Sequence, residues 1–339
     1  MAKHIVVVGG GIVGCLTALN LADRGCQVTL VERNEVAAQT SGESSWAGAG
    51  ILFPLLPWMY KDAVNQLAME GAKLYPALCE RLLAETGIDP EYIKSGMQIL
   101  PSFDETAAIN WCESYRIPIE KNVKGLLLPT IAQVRPPHLL QALRQLLIQE
   151  NVKLLENTQL EPLANVDKID GWRTNNHAVL EADAFVVTSG AWSFDLLKET
   201  AAGLNIKPMR GQILLYDLSK QPVPEIPKNI IYQNGFYLVP RRDGLLLAGS
   251  TLEDVGFNTN TTETMRQELQ KKAELILPSL KHASAIKHWC GLRPGTPDNL
   301  PTIAAHPSIK NLYLNTGHFR YGLTMSPASA ARVTALICD

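Results

Sequence analysis

Three glycines and one glutamate carry the first chemical signal in the sequence. Gly9, Gly11 and Gly14 fit the spacing G-x-G-x-x-G, and Glu32 follows Gly14 by eighteen residues. In such a turn the first glycine permits the tight bend and the second lets a pyrophosphate approach the backbone. The third lets the following helix lie close to the strands. The unpaired N–H groups and positive dipole end at the helix start then receive the phosphates. An acid at the end of the next strand accepts hydrogen bonds from both hydroxyls of an adenosine ribose and repels a 2′-phosphate, which disfavours NADP. The chemistry is that of an adenine dinucleotide, and the motif alone does not separate FAD from NAD.

Other chemistries lack their residues. G-x-S-x-G is absent, which argues against a hydrolase nucleophile elbow. His288-Trp289-Cys290 offers two ligands with no others at tetrahedral spacing, so no metal is expected. The six cysteines, Cys15, Cys26, Cys79, Cys112, Cys290 and Cys338, show no C-x-x-C pairing and fit reduced thiols better than a disulfide framework.

The elements that must position the dinucleotide follow from the pattern. Ile5 to Val8 is a strand, apolar residues recur at helical spacing through Ile12, Leu16 and Leu19, and Val28 to Val31 is a second strand: a βαβ unit of a parallel sheet. Arg33 to Gly50 is a small-residue loop, too polar for a strand and too rich in small residues for a packed helix. Lys61 to Thr86 reads as a helix closed by Gly87. Gly96 to Leu100 reads as a strand, Glu105 to Tyr115 as a helix, His138 to Gln149 as a helix started by Pro136-Pro137, and Val152 to Leu155 as a strand. Ala184 to Trp192 and Asn311 to Gly322 repeat the strand-then-glycine logic of Val6 to Gly11, and a helix runs from Ala328 to Ile337. Three such turns converging on one sheet edge suit an extended cofactor. Between Pro208 and Cys290 short strands alternate with Asn234-Gly235 and Asp243-Gly244, the marks of antiparallel hairpins, with one helix at Thr262 to Leu277.

Composition bounds the rest. The 339 residues suffice for two domains with a large core; 46% are hydrophobic, 19% charged, and the formal net charge is −2. This describes a soluble globular protein with no basic footprint for nucleic acid, no targeting segment and no membrane span, hence a cytoplasmic one. Oligomeric state stays open.

The segments GGGIVG, ESSWAGAGI, YLVPRRDGLLLAGSTLEDVGF, GLRPGTPDNLPTI and GHFRYG together resemble the D-amino-acid oxidase family of flavoenzymes, in its glycine-oxidising bacterial branch that serves thiamine thiazole synthesis. The likeness spans Ile5 to Ala331. It implies an α/β fold: an FAD-binding Rossmann-like domain of glutathione-reductase type with an inserted antiparallel-sheet substrate domain. The expected division is 1–60, 131–207 and 291–339 for FAD, and 61–130 and 208–290 for substrate. FAD is implied as a non-covalent cofactor, since Gly291 stands where some relatives attach flavin to a cysteine.

Carried over by position, FAD contacts fall at Gly9, Gly11, Ile12, Val13 and Gly14, at Glu32 and Arg33, and at Ser44, Ser45, Ala49, Gly50 and Ile51. Others fall at Leu160 beside the adenine, at Gly190, and at His318, Phe319, Arg320, Tyr321, Gly322, Leu323 and Thr324 around the flavin. The substrate carboxylate is expected at Arg293 and Tyr237, with Arg320 close by and Leu252 lining the pocket. Arginine's planar fork pairs a carboxylate through two charge-assisted bonds, and tyrosine adds a third donor. His318 reads as a satisfied core histidine.

The activity so implied is oxidation of glycine, and of other small amines or D-amino acids, to the 2-oxo acid, ammonia and H₂O₂. The α-hydrogen leaves as hydride, so no general base is needed if the amine binds neutral. A dehydrogenase passing electrons to a quinone, a tRNA-modifying flavoprotein and a non-catalytic dinucleotide-binding protein are the competing readings; the net charge of −2 weighs against RNA.

Overall fold

The computed structural model describes residues 2–40, 42–219 and 226–339; Met1, Ser41 and residues 220–225, which fall within the expected domains, lie outside the described residues. In order the elements are β1 (His4–Val8), α1 (Ile12–Asp23), β2 (Gln27–Val31), α2 (Ser44–Ala47), α3 (Asp62–Thr86), β3 (Met97–Ile99), α4 (Glu105–Ser114), β4 (Glu120–Asn122), β5 (Gly125–Leu128), α5 (Pro136–Gln149) and β6 (Lys153–Leu155). There follow β7 (Trp172–Arg173), β8 (Val179–Leu180), β9 (Ala184–Val187), α6 (Ser193–Leu197), β10 (Lys207–Asp217), β11 (Ile230–Gln233), β12 (Phe236–Pro240), β13 (Leu245–Gly249), α7 (Glu263–Ile276), β14 (Ala285–Gly295), β15 (Thr302–Ala305), β16 (Leu312–Thr316) and α8 (Gly322–Cys338).

The first sheet has six strands in the order β15-β16-β9-β1-β2-β6, parallel except where β15 meets β16. Its central strands are apolar on both faces because both faces are covered. One face carries α1, α3, α5 and α8 over Ile5, Val7, Leu30 and Val186; the other packs Val6, Val8, Phe185 and Val187 against Trp172 and Leu163. Chain order reverses on either side of β1, with β2 to one side and β9 to the other, which opens a crevice beyond the carboxyl ends of the strands.

The second sheet has eight strands in the order β14-β10-β13-β12-β11-β3-β5-β4, antiparallel except between β11 and β3. Asn234 and Gly235 take φ values of +49° and +79°, as the tight β11–β12 hairpin requires. α7 covers the outer face over Leu214, Leu238 and Leu246.

Several elements depart from the sequence expectation. α3 begins at Asp62 and ends at Thr86 with Gly87 as its C-cap, as the sequence signal implies, but its buried face (Tyr75, Cys79, Leu82) joins the cluster beneath the six-stranded sheet. β14 runs unbroken across residues 290 and 291, where a domain border was expected. A single helical turn, α2, forms within the small-residue loop, with Trp46 stacked on Trp289 at 5.6 Å. The last helix starts at Gly322 rather than Ala328 and includes Pro327. Proline frees the carbonyl four residues earlier. That carbonyl, on Leu323, accepts from the Tyr75 hydroxyl at 2.6 Å and from Ser326 Oγ at 2.8 Å, so the helix continues through.

Among the described residues no helix is long and apolar enough to cross a membrane, and no cluster of three or more His, Cys, Asp or Glu could hold a metal ion.

Candidate active site

The crevice at the ends of β1, β9 and β16 deepens into a cavity of about 320 Å³. Gly9, at φ +111°, makes the bend that ends β1, and a Cβ there would lie 2.8 Å from Ser189 Cα. A Cβ on Gly14 would lie 1.8 Å from the Gly9 carbonyl oxygen, so only glycine lets α1 start this close to the turn. The α1 N-terminus has no side-chain cap at Gly11 and no acid in its first turn; the Ile12 amide donates to Ser45 Oγ at 2.9 Å. A helix start with no acid in its first turn and no cap from its own N-cap residue suits the oxygens of a phosphate.

Glu32 closes one end. Its carboxylate accepts from the Gly10 amide at 2.7 Å and the Asn34 amide at 2.9 Å, which fixes both oxygens yet leaves each a further lone pair. Burial pushes its pKa up, against the pull of those two N–H donors. Beside it Arg33 pairs with Glu43 at 3.0 Å and lies 3.5 Å over the Trp192 ring, which stacks on Phe257 at 5.4 Å.

At the other end β14 contributes Leu292, Arg293 and Pro294 to the wall. Arg293 lies along the bare Cα of Gly211 on β10: a Cβ there would sit 2.1 Å from Nη1. Nη1 donates to the Thr251 carbonyl at 3.2 Å and Nη2 to Ser250 Oγ at 2.7 Å. The Tyr237 hydroxyl lies against the guanidinium. Burial draws the Arg293 pKa down, Tyr237 opposes that, and the Arg320 charge adds to it. No carboxylate of the described residues pairs with Arg293.

The turn after β16 supplies the third wall. Phe319 holds φ +45°, sparsely populated for a non-glycine residue and a mark of functional turns. His318 departs from the expectation of a satisfied histidine: it is buried, lines the cavity, and its Nε2 has no partner. Burial alone takes its pKa down to about 3, so the ring is neutral. Asn315 Oδ1, also on the wall, is likewise buried without a donor, its Nδ2 being given to Thr17 at 3.2 Å. Two unsatisfied buried polar atoms on one cavity wall are costly unless a ligand meets them.

Of the residues expected at the cofactor, the cavity wall holds Gly9, Gly11, Ile12, Val13, Glu32, Arg33, Ser44, Ser45, Leu160 and Gly190, and also His318, Phe319, Arg320, Gly322 and Leu323. Gly14 lies beneath the turn. Ala49, Gly50 and Ile51 form a seam behind the wall: Gly50, at φ +76°, is pressed on the Val134 carbonyl, and Ile51 O accepts from Thr324 Oγ1 at 3.1 Å. The Tyr321 hydroxyl donates to Leu55 O at 3.2 Å, and its ring meets Tyr60 edge-on at 5.2 Å. Of the expected substrate contacts, Arg293 and exposed Arg320 face the cavity. Tyr237 is buried behind Arg293, and Leu252, 43% exposed, is not on the wall. Cys290 Sγ turns to the Thr259 carbonyl at 3.0 Å.

Sequence reasoning missed Trp192, Asn315 and Thr188 on the wall. It also missed buried Arg241, which donates to the Ala49 carbonyl at 2.8 Å and the Val134 carbonyl at 2.9 Å and so ties the second sheet to the cofactor loop. Gly211 had a readable signal, a glycine inside a strand pattern, which marks close approach of another group.

A fold with this crevice, an uncapped Gly11 at the helix start, a buried acid at the end of β2 and unsatisfied polar atoms at the far end has the features of a dinucleotide-binding oxidoreductase. The family described as FAD dependent oxidoreductase matches residues 4–336, and the chain belongs to it. Its cofactor is FAD. A glycine oxidase of Pseudomonas aeruginosa is 39% identical over 355 residues, 99% of this chain and 95% of that one. The bifunctional protein ThiO/ThiG of Trichormus variabilis is 31% identical over 360 residues, all of this chain but 53% of that protein. The crystal structure of glycine oxidase from Bacillus cereus matches with a TM-score of 0.86 at 26% identity, covering 99% of this chain and 94% of that one.

Proposed function

We infer that the chain is an FAD-dependent amino-acid oxidase that deaminates glycine, and other small amines or D-amino acids, to the 2-oxo acid, ammonia and H₂O₂. The likeness to a protein joining ThiO with ThiG supports a place in thiamine thiazole synthesis. The observation that carries the reading is Arg293: a half-buried guanidinium on the wall of a dinucleotide cavity, paired with no carboxylate of the described residues. Such a cation is destabilising unless an anion meets it.

In this reading Gly9, Gly11, Gly14, Ile12 and Val13 hold the pyrophosphate and Glu32 with Arg33 the ribose. Ser44, Ser45 and Gly190 line its path, Leu160 meets the adenine, and residues 318–324 with the seam at 49–51 hold the ring end. Arg293 has spent one N–H of each terminal nitrogen on Thr251 and Ser250; the remaining fork N–H groups receive the substrate carboxylate. Tyr237 braces the guanidinium, and Arg320 raises the positive potential at the mouth. Fixing the carboxylate orients the α-carbon, which is where the rate gain originates. Bound in this cavity, the flavin supplies the acceptor for the α-hydride and the reductant for O₂. His318, neutral at working pH, places no charge near that ring.

The test is anaerobic addition of glycine to the yellow protein. Bleaching is expected, followed on aeration by O₂ uptake matched by H₂O₂, and heat should release FAD. A protein that bleaches but needs a quinone to recover its colour is a dehydrogenase; one that never bleaches is no oxidase of glycine.

A further inference from the structure

Cys26 and Cys338 are far apart in sequence and side by side in space, with sulfurs 3.9 Å apart. One sits in the turn between α1 and β2, the other on the last residue of α8. Cys338 is exposed and Cys26 half-buried, while the other four cysteines are buried. Burial holds the Cys15 and Cys79 thiols up at about 12 and Cys112 at about 11, so those three stay protonated and inert at neutral pH. Burial and the adjoining Cys338 thiol hold the Cys26 thiol above its ordinary range, and the Lys3 ammonium, which donates to the Ile337 carbonyl at 2.8 Å, pulls the other way.

We propose that Cys26 and Cys338 form a peroxide-responsive dithiol that closes to an intrachain disulfide. The source of peroxide rests on the oxidase reading; the pair itself does not. Exposed Cys338 attacks H₂O₂: an S–O bond forms, the O–O bond breaks, and hydroxide leaves as water with the thiol proton. Cys26 then displaces the sulfenic oxygen: the S–S bond forms, the S–O bond breaks, and a second water leaves. Two thiols lose two electrons and two protons, and one H₂O₂ becomes two waters. Closing from 3.9 Å to a bond of about 2.05 Å needs a shift that a terminal helical residue can make. The bond ties the far end of α8, whose first turn lines the cavity, to the start of β2.

The experiment takes the reduced holoenzyme through two arms: added H₂O₂, and glycine in air with or without catalase. Expected in both, and suppressed by catalase in the second, are a mass lower by two hydrogens per chain and a tryptic map joining the Cys26 and Cys338 peptides. A Tm higher by about 5 °C should accompany them. Dithiothreitol should reverse all three, and Cys26→Ser and Cys338→Ser should abolish them; Cys338→Ser, at an exposed position, decides the matter should Cys26→Ser fold poorly. Sulfinic acid at Cys338 without a cross-link, or a bond between two chains, under added H₂O₂ overturns the proposal. Cross-linking by added H₂O₂ but not by glycine upholds the pair and overturns the oxidase as its source of peroxide.

Discussion

Arg293 can be weighed energetically as well as geometrically. A hydrogen bond to a charged group contributes about 1.5–3 kcal/mol net, and removing one partner of a buried charge pair costs about 3–5 kcal/mol. Arg293→Ala should therefore lower kcat/KM for glycine by about 10²-fold or more, at about 1.4 kcal/mol per tenfold, with a normal flavin spectrum. Arg293→Lys should recover part of the loss, because an ammonium lacks the parallel fork. An amine without a carboxylate should scarcely notice either change; if glycine kinetics survive Arg293→Ala, the anchor lies elsewhere.

His318 makes a separate prediction in the apoprotein. Its folded pKa, about 3, lies below the unfolded value near 6.5, so its contribution is complete above pH 6.5 and lost as pH falls toward 3. At about 1.4 kcal/mol per pH unit, His318→Gln should lose about 2 kcal/mol less than the parent between pH 6.5 and 5 in urea titrations. Parallel curves would mean the ring is solvated. Residue types at fixed spacing made Gly9, Gly11, Gly14 and Glu32 legible. The unpartnered atoms of His318 and Asn315 were not, since whether a buried polar atom finds a partner is decided by packing and leaves no local pattern.

The link from α3 to α8 belongs to the scale of elements. Gly71 meets α8 so closely that a Cβ would lie 2.0 Å from the Thr324 carbonyl oxygen, and one turn later Tyr75 holds the Leu323 carbonyl. Gly71→Ala should cost about 1–3 kcal/mol of stability by overpacking and should loosen FAD, because the displaced turn carries Gly322 and Leu323 of the wall. Leu74→Ala, at an exposed position on the same helix, is the control. Equal Tm and equal flavin retention in both variants would sink the claim. The sequence reading begins this helix at Ala328, just after Pro327; the Tyr75 hydroxyl that satisfies the carbonyl freed by that proline lies 248 residues from it and cannot be read locally. The hairpins of the second sheet were legible because Asn234-Gly235 is a local signal, whereas the parallel pairing of β3 with β11 is not.

For the whole molecule, bound cofactor should act as a structural element. FAD at 100 times its Kd should stabilise the fold by about 2.7 kcal/mol and raise Tm by several degrees. FMN, which has nothing to place at Glu32, should do less; an equal shift would mean that the adenosine end contributes nothing. The backbone bridge of Gly42 to Gly291 also reaches beyond the local loop. Gly42 donates to the Cys290 carbonyl at 3.0 Å and accepts from the Leu292 amide at 3.0 Å, so the loop that borders the cofactor and the strand that bears Arg293 are stitched at adjacent residues. On the proposed reading these bonds resist any change in the spacing between the flavin end of the cavity and Arg293, as a gauge block would rather than a pair of jaws. Substrates longer than the gauge are then to be admitted by trimming side chains at its free end rather than by loosening a hinge.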